Sequence, residues 1–156
     1  MTQQMTQEDR EFFIGLPDRV LLSRMIWREA GNQSLRGQVA VACVPFNRLN
    51  HPRKRYGATL MNVLLRPEQF SCFNSDDPNY LYMLSGVADN DIESAALTRC
   101  FTLADLAVEG MLVDPTRLDG MTQGATHYHK IDTKPWWAPI LHYLITIGDH
   151  RFYLEI

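Results

Sequence analysis

The chain has 156 residues, of which 46% are hydrophobic and 21% charged, and its formal net charge is −3. This length and composition predict a single globular domain, residues 1–156, with residues 1 to about 10 flexible. The negative charge argues against a dedicated nucleic-acid-binding protein, which is usually basic. The sequence shows neither a membrane-spanning segment nor a secretory signal, so we expect synthesis in the cytoplasm.

Three widely spaced cysteines, Cys43, Cys72 and Cys100, do not suggest a disulfide framework. Reduced thiols are the default in the cytoplasm. Cys43 and Cys100 fall on the core faces of predicted helices. Cys72 lies in a predicted loop, where we expect partial exposure.

A helix is predicted to begin near Asp18 and to end at Gly31 and Asn32, since both residues tolerate left-handed backbone angles. Its apolar face includes Met25 and Ile26, and Glu29 falls on the same face. Burial disfavours a charged carboxylate and raises its pKa. A Glu with a raised pKa can hold a proton near neutral pH and deliver it to a leaving oxygen, as a glycosidase general acid does.

A purely structural role for Glu29 is the alternative, in which the carboxylate turns outward and pairs with Arg28 or Arg36. A second helix, capped by Ser34, follows a short polar turn, and Pro45 predicts a kink or early fraying in it. Its predicted inward stripe consists of Leu35, Gln38, Val39, Ala42, Cys43 and Phe46.

The middle of the chain alternates short helices with loops. The basic segment at residues 51–57 is interpreted as a solvated connector, with the rim of a glycan-binding cleft as the alternative. Thr59 caps a predicted helix over residues 60–65. The loop at residues 69–74 mixes aromatic and polar side chains, a combination that suits sugar rings and their hydroxyl edges. In this loop Phe73 is interpreted as a core residue. A packing helix starts near residues 89–91. Its predicted apolar stripe consists of Ile92, Ala95, Ala96, Cys100, Leu103, Ala104 and Ala107.

The last third changes to the alternating pattern of strands. Segments around residues 124–129, 144–147 and 150–154 predict a small antiparallel sheet, with Gly148 and Asp149 near a hairpin turn. The overall expectation is an α+β fold, lysozyme-like, with a helical body and a small antiparallel sheet from the C-terminal third.

The His127-Tyr128-His129 segment permits two interpretations. Two histidines separated by one residue share a strand face and can hold a metal with a third ligand such as His150, as in zinc amidases. The sequence has no H-E-x-x-H motif and no paired cysteines, so hydrogen bonding to substrate or backbone is favoured. On a strand, Tyr128 points away from both histidines.

Several ordered stretches carry a family resemblance. They are Glu-Ala at 29–30 with the following Gly-Gln-Val-Ala-Val-Ala and Asn-Arg, Gln-Phe-Ser at 69–71, Ala-Thr-His-Tyr-His at 125–129, Pro-Trp-Trp at 135–137, and Ile-Gly-Asp-His-Arg-Phe-Tyr at 147–153. Together they resemble the SleB-type cell-wall hydrolases, and the resemblance runs from about Leu22 to Tyr153.

The resemblance implies that Glu29 is the catalytic acid. The family usually reads Glu-Ala-Arg-Gly-Glu, whereas this chain reads Glu-Ala-Gly-Asn-Gln, so an amide replaces the second carboxylate. The expected substrate-binding residues are Gln33, Gln69, Phe70, Ser71, His127, Tyr128, His129 and Trp136. Weaker candidates are Asn74, His150 and Tyr153. Of the consecutive Trp136 and Trp137, one is expected to be buried in the core.

The implied substrate is peptidoglycan, and the implied bond is the β-1,4 linkage between N-acetylmuramic acid and N-acetylglucosamine. A single acid suits a lytic transglycosylase that needs no cofactor. A water-using muramidase would need a second carboxylate, for which Glu68, Asp76 and Asp77 are the candidates. A zinc amidase using His127 and His129 and a non-enzymatic wall-binding module remain alternatives.

The expected partner is the glycan strand of the wall, with no nucleic acid and no membrane. A monomer is expected. A holin that releases the protein to the wall would fit a chain without a signal peptide.

Overall fold

A computed structural model describes residues 4–66, 69–86 and 91–156, without the side chains of residues 91–93. The helices are α1 (Gln7–Ile14), α2 (Asp18–Ala30), α3 (Leu35–Leu49), α4 (Leu60–Leu65), α5 (Tyr80–Ser85) and α6 (Asp91–Val108), with a 3-10 turn at Ser71–Phe73. The strands are β1 (His127–Lys130), β2 (His142–Ile147) and β3 (His150–Leu154). None of the helices in the described part of the chain is long and apolar enough to cross a membrane.

Helix α1 begins at Gln7, within the N-terminal segment that was predicted to be flexible. The Thr6 hydroxyl caps the helix by accepting from the Asp9 amide at 3.1 Å. Phe13 is fully buried, and its ring meets that of Phe73 edge-on at 5.4 Å between centroids. A polar sequence therefore forms a helix here because one aromatic side chain anchors it to the core.

Helix α2 ends at Ala30, as predicted, but not through a left-handed residue. Gly31 has φ −59°, in the right-handed region. The buried amide of Gln38, on α3, donates to the carbonyls of Ala30 at 3.2 Å and Gly31 at 3.3 Å. A side chain of the next helix thus satisfies the last carbonyls of α2, which otherwise lack partners at a helix end.

Helix α3 contacts α2, α4 and α6. Ser34 caps it as predicted, accepting from the Gly37 amide at 3.3 Å. The helix continues through Pro45 to Leu49, so the predicted early fraying is wrong. Leu35 is 54% exposed and does not belong to an inward stripe. Because three helices surround α3, it is buried on several sides, and the single apolar face that the sequence predicted is not found.

Helix α6 packs along α2, and its second half confirms the predicted packing face. The buried side chains there are Cys100, Leu103, Ala104 and Ala107. Ala95 is exposed, and the side chain of Ile92 lies outside the described residues.

The connection from α6 to β1 is irregular but tied down by side chains. Asn47 on α3 donates to Asp114 Oδ2 at 2.8 Å and to the Ala125 carbonyl at 2.9 Å. Asp114 Oδ1 accepts from the Thr116 hydroxyl at 2.7 Å, and that hydroxyl accepts from the Ala125 amide at 2.8 Å. A Cβ at Gly124 would collide with Asp114. This network fixes where β1 begins.

The sheet is antiparallel with the order β1-β3-β2, which confirms the predicted fold class. In the register, His127 lies opposite Tyr153 and Tyr128 lies opposite Phe152. The hairpin between β2 and β3 turns at Gly148, whose φ of +57° suits glycine. The sheet therefore presents β1 as an edge strand with two chemically different faces.

Candidate active site

Glu29 lies in the last turn of α2, where the fully buried Met25 and Ile26 precede it on the same helical face. The residue as a whole is partly exposed, but its Oε1 atom is buried. Its position is fixed by the end of the helix, which Gln38 holds from α3. The acid is thus set on a rigid element rather than on a loop.

Burial raises the pKa of Glu29 above its usual value. The nearby charge of Asp77 raises the pKa further, whereas Tyr128 and Cys72 partly offset the shift because they favour the carboxylate. Among the described residues, neither Glu29 Oε1 nor the Tyr128 hydroxyl has a hydrogen-bond partner of ordinary geometry. The Glu29 carboxyl and the Tyr128 hydroxyl thus come from different parts of the fold and lie close together. Both groups can still form a hydrogen bond.

Cys72 is 2% exposed, so the expectation of partial exposure is wrong. The 3-10 turn at Ser71–Phe73 packs the centre of this loop against the core, and Phe73 is buried as predicted. Burial and the adjacent Glu29 raise the pKa of the Cys72 thiol well above its usual value. The thiol is therefore neutral and belongs to the floor beneath the acid.

Phe70 is also buried, at 2% exposure, and the guanidinium of Arg48 covers its ring at 4.7 Å from the centroid. This burial is typical of a core residue, and the predicted contact of Phe70 with substrate stays a prediction. Gln69 is partly exposed, and its Oε1 accepts from Arg48 at 3.2 Å. Ser71 is exposed, whereas Asn74 is buried. The loop thus supplies support more than binding surface.

Arg48 is a site residue that sequence reasoning did not assign. It is 4% exposed, and its Nε donates to the Thr126 carbonyl at 2.6 Å, which joins α3 to the start of β1. Burial lowers its pKa to about 10, and it therefore stays charged at neutral pH. The Asn-Arg pair that ends the helical motif was the signal that could have identified it.

Strand β1 divides its first three side chains between two faces, as the alternation predicted. The Tyr128 ring faces the core, with its centroid 5.2 Å from that of His150 and 5.8 Å from that of Phe152. His127 and His129 lie on the other face, at 5.0 and 5.6 Å from the ring of Trp137. Tyr128 is therefore the residue of this strand that meets Glu29.

The two histidines are engaged by protein groups. His129 Nδ1 lies 2.6 Å from the Lys130 carbonyl, and its Nε2 lies 3.0 Å from the Tyr153 hydroxyl. Burial, Arg48 and Arg55 lower the pKa of His127 to about 3, so its ring is neutral. Within the described ranges, no group of three or more His, Cys, Asp or Glu side chains is arranged to hold a metal ion.

A cleft of about 400 Å³ opens beside β1. Part of its lining is apolar or aromatic and consists of Tyr56, Trp136, Trp137, Ile140 and Leu141. The polar part consists of Arg48, Arg55, Arg66, Gln69, His127, Tyr128 and Glu155. Glu29 is not among the lining residues, and Tyr128 is the lining residue that interacts with it.

The two tryptophans differ in exposure. Trp136 is 80% exposed and projects over the cleft. Trp137 is half-buried against His127, His129 and Tyr153. The expectation that one of them belongs to the core is wrong, because the segment before β2 lies over the sheet rather than inside it.

Gln33 has a structural partner at the opposite end of the chain. Its Nε2 donates to Asp149 Oδ2 at 3.0 Å, and its Oε1 accepts from the Asp149 amide at 3.0 Å. The residue does not line the cleft. The amide that replaces the family's carboxylate therefore fastens the β2–β3 turn to the helical body, and its predicted contact with substrate stays a prediction.

The candidates for a second carboxylate differ in position. Glu68 lies outside the described residues, and Asp76 is exposed. Asp77 is half-buried, and its Oδ1 accepts from the Asn79 amide at 2.8 Å. It is the carboxylate whose charge is close enough to raise the pKa of Glu29.

Comparison with solved structures agrees with this architecture. The catalytic domain of the germination-specific lytic transglycosylase SleB from Bacillus anthracis superposes with a TM-score of 0.59 and 23% identity, covering 90% of this chain and 98% of that chain. The catalytic domain of the Bacillus cereus SleB protein gives 0.57 and 23%, covering 88% and 89%. These likenesses establish a common fold. A search of curated protein sequences finds no match.

The sequence profile of the Cell Wall Hydrolase family matches residues 32–153. The match begins three positions after Glu29 and includes α3, the loop beneath the acid and the whole of β1. It covers most of the chain, and the sequence resemblance noted above points to the same family. The chain therefore belongs to the cell wall hydrolases, with the helical body and small antiparallel sheet of the SleB catalytic domains.

Proposed function

We propose that the protein is a peptidoglycan lytic transglycosylase that cleaves the β-1,4 bond between N-acetylmuramic acid and N-acetylglucosamine, with Glu29 as general acid and base. The observation that carries the proposal is a buried carboxyl at a helix end, with a raised pKa, next to Tyr128 in the wall of an aromatic cleft. Membership of the cell wall hydrolases supports the substrate class. The structural neighbour from Bacillus anthracis is a lytic transglycosylase.

The proposed reaction needs one proton carrier. Protonated Glu29 gives its proton to the glycosidic oxygen as the bond from that oxygen to the muramyl C1 breaks. The carboxylate formed then takes the proton of the muramyl 6-hydroxyl, whose oxygen attacks C1. The products are a 1,6-anhydromuramyl end and a new N-acetylglucosamine end, no water is consumed, and Glu29 is again protonated.

Burial suits both halves of this cycle. A raised pKa keeps the proton on Glu29 at neutral pH, which the first step requires. The second step requires a base, and a carboxylate formed in an apolar setting regains a proton readily. Tyr128 faces the same carboxyl and can donate a hydrogen bond to it once it is charged.

Mass spectrometry of soluble fragments from purified peptidoglycan tests the proposal. We expect 1,6-anhydromuramyl ends from the wild-type protein and none from Glu29→Gln. Released stem peptides with intact glycan would instead indicate an amidase. Undigested walls that still bind the protein would indicate a binding module.

A water-using muramidase is the second candidate, and Asp77 is the observation that favours it. Its charge reaches Glu29, as a partner carboxylate in a two-carboxylate site would. In that case Asp77→Asn should abolish turnover and the wild-type products should carry reducing muramyl ends. A transglycosylase should tolerate the change with a small loss, since the asparagine keeps the acceptor for the Asn79 amide. Delivery by a holin and a monomeric state remain predictions.

A further inference from the structure

Three arginine side chains converge on one tyrosine in the cleft. The guanidinium carbons of Arg48, Arg55 and Arg66 lie 5.4, 5.5 and 6.0 Å from the centroid of the Tyr56 ring. All four residues line the same cavity. Clustered like charges repel one another, and partial burial strengthens that repulsion. An arrangement of this kind is stabilised by an anion.

The acidic side chains described in the cleft match only part of this charge. Glu155 pairs with Arg55 at 2.8 Å, and no other described residue lining the cleft is acidic. His127 adds no positive charge because its pKa is lowered to about 3. In the described part of the cleft, positive charge therefore exceeds negative charge, although the whole chain has a net charge of −3.

Tyr56 supplies an additional donor. It is 4% exposed, and among the described residues its hydroxyl has no hydrogen-bond partner. Guanidinium groups and a phenol hydroxyl together are donors that suit a carboxylate, which can accept several hydrogen bonds at once. Arg48 is already oriented by its bonds to the Thr126 carbonyl and to Gln69. The group is thus partly preorganised.

We propose that Arg48, Arg55, Arg66 and Tyr56 form a carboxylate-binding subsite that selects muramyl residues carrying a free carboxylate. The inference rests on the proposed function, because it names which form of the glycan that same cleft takes. The carboxylate is supplied either by the peptide stem attached to the muramyl lactyl group or by the lactyl group itself where the stem is absent. A neutral glycan offers nothing to this subsite.

Arg66→Gln is the test variant, since Arg66 is exposed and its removal leaves the core intact. Arg36→Gln removes the same charge from an exposed position on α3 outside the cleft and serves as the matched control. Arg66→Lys keeps the charge. The substrates are native sacculi free of teichoic acid and the same sacculi with their carboxyls converted to methylamides.

We expect wild-type kcat/KM to fall about tenfold on the amidated sacculi, the effect of losing one charged hydrogen bond. Arg66→Gln should lose a similar factor on native sacculi and little more on amidated ones. Arg36→Gln should behave like wild type, and Arg66→Lys should retain most of the preference. Equal wild-type kcat/KM on native and amidated sacculi would overturn the proposed subsite. An Arg66→Gln protein that keeps the full wild-type preference for native sacculi would also overturn it.

Binding separates this inference from the proposed function. The inactive Glu29→Gln protein is cosedimented with both kinds of sacculi at low and high salt, because salt screens exposed charges. Preference for native sacculi without anhydro products from wild type would leave the subsite standing and refute the transglycosylase. Anhydro products without any preference for native sacculi would support the transglycosylase and refute the carboxylate-binding subsite.

A last arm identifies the source of the carboxylate. Sacculi stripped of stems by an amidase keep only the lactyl carboxylate. Preference lost on stripping assigns the stem carboxylate alone. Preference retained on stripped sacculi, relative to their methylamides, shows that the subsite also accepts the lactyl carboxylate, which is free only where the stem is absent.

Discussion

The helical body and the C-terminal sheet contribute different things to the site. The body is apolar and deeply buried, and it carries the acid at the end of α2, with the fully buried Ile26 beside it. The sheet carries half-exposed aromatic rings, and Trp137 contacts His127 and His129 on its outer face. The acid that follows β3 at the cleft, Glu155, pairs with Arg55. The buried acid and the exposed aromatic surface thus belong to separate regions.

Tyr128 is the link between the two regions. It belongs to the sheet by backbone, but its ring enters the core and meets Glu29. Arg48 makes the reverse connection, from the body to the Thr126 carbonyl at the start of β1. The division teaches that a change at Glu29 or Tyr128 should alter the reaction itself, whereas a change on the outer face of the sheet should alter binding.

The largest effect is expected from Glu29→Gln, which removes the proton carrier without changing the shape of the side chain. We expect activity to fall by about 10²–10⁴-fold, the contribution of general acid–base catalysis. Fragment release from purified walls measures it. Activity near the wild-type level in a folded Glu29→Gln protein would place the acid elsewhere.

The same variant also has a stability signature. The folded pKa of Glu29 is raised, so ionisation opposes folding: the penalty is absent below the usual pKa of Glu and complete above the folded pKa. The melting temperature of Glu29→Gln relative to wild type should therefore rise as pH increases through this window. A difference independent of pH would contradict burial of the acid.

Tyr128→Phe tests the link and should cost about tenfold in activity, the effect of a hydrogen bond to a charged group. Stability should change little, because the buried hydroxyl has no hydrogen-bond partner of ordinary geometry among the described residues. Since Tyr128 lowers the pKa of Glu29, its loss should raise that pKa and move the alkaline limb of the pH–rate profile upward. His129→Gln, on the other face of β1, is the control and should leave that limb in place.

Trp136→Ala tests the outer face, where the side chain is 80% exposed. Loss of a stacking platform should raise KM by about two- to tenfold and leave kcat unchanged. The melting temperature should not move. Leu35→Ala, at an exposed apolar residue away from the cleft, is the matched control. A fall in kcat for Trp136→Ala would mean that the tryptophan acts on the reaction.

The smallest effect is expected at Gln33, where the helical body is bonded to the β2–β3 turn of the sheet. Gln33→Glu restores the family's usual residue but loses the bond to Asp149 Oδ2 and sets two carboxylates against each other. We expect a loss of about 1–2 kcal/mol in the free energy of unfolding at neutral pH. Acid pH, or the second change Asp149→Asn, should restore it. A gain in turnover would give the restored carboxylate a catalytic role.

Much of this organisation could be predicted from the sequence, because it depends on local rules. Helix ends at Ala30 and Ser34, the hairpin at Gly148 and the opposite faces of Tyr128 and His129 follow from capping, turn and alternation patterns. The placement of Glu29 on an apolar face follows from helical spacing.

What the sequence did not reveal depends on contacts between distant segments. Phe70 alternates with polar residues as an exposed aromatic would, but Arg48 and the core enclose it. The sequence places Gln33 close to Glu29 and so suggests a position in the cleft. In the fold Gln33 instead bonds to Asp149, which is 116 residues away in the chain. The convergence of arginines on Tyr56 likewise joins separate elements. The spacing of residues along the chain does not predict contacts between segments that are distant in the sequence.

Titration of Glu29 itself is the most direct test of this division between a buried acid and an open binding face. Carbon-13 NMR of the protein labelled at the glutamate side-chain carboxyl, with Glu29→Gln to assign the resonance, gives its protonation state at each pH. We predict that Glu29 titrates above the range of ordinary glutamates and that Tyr128→Phe moves it higher still. Titration at the ordinary value would show an ionised carboxylate at neutral pH and would contradict its role as the proton donor.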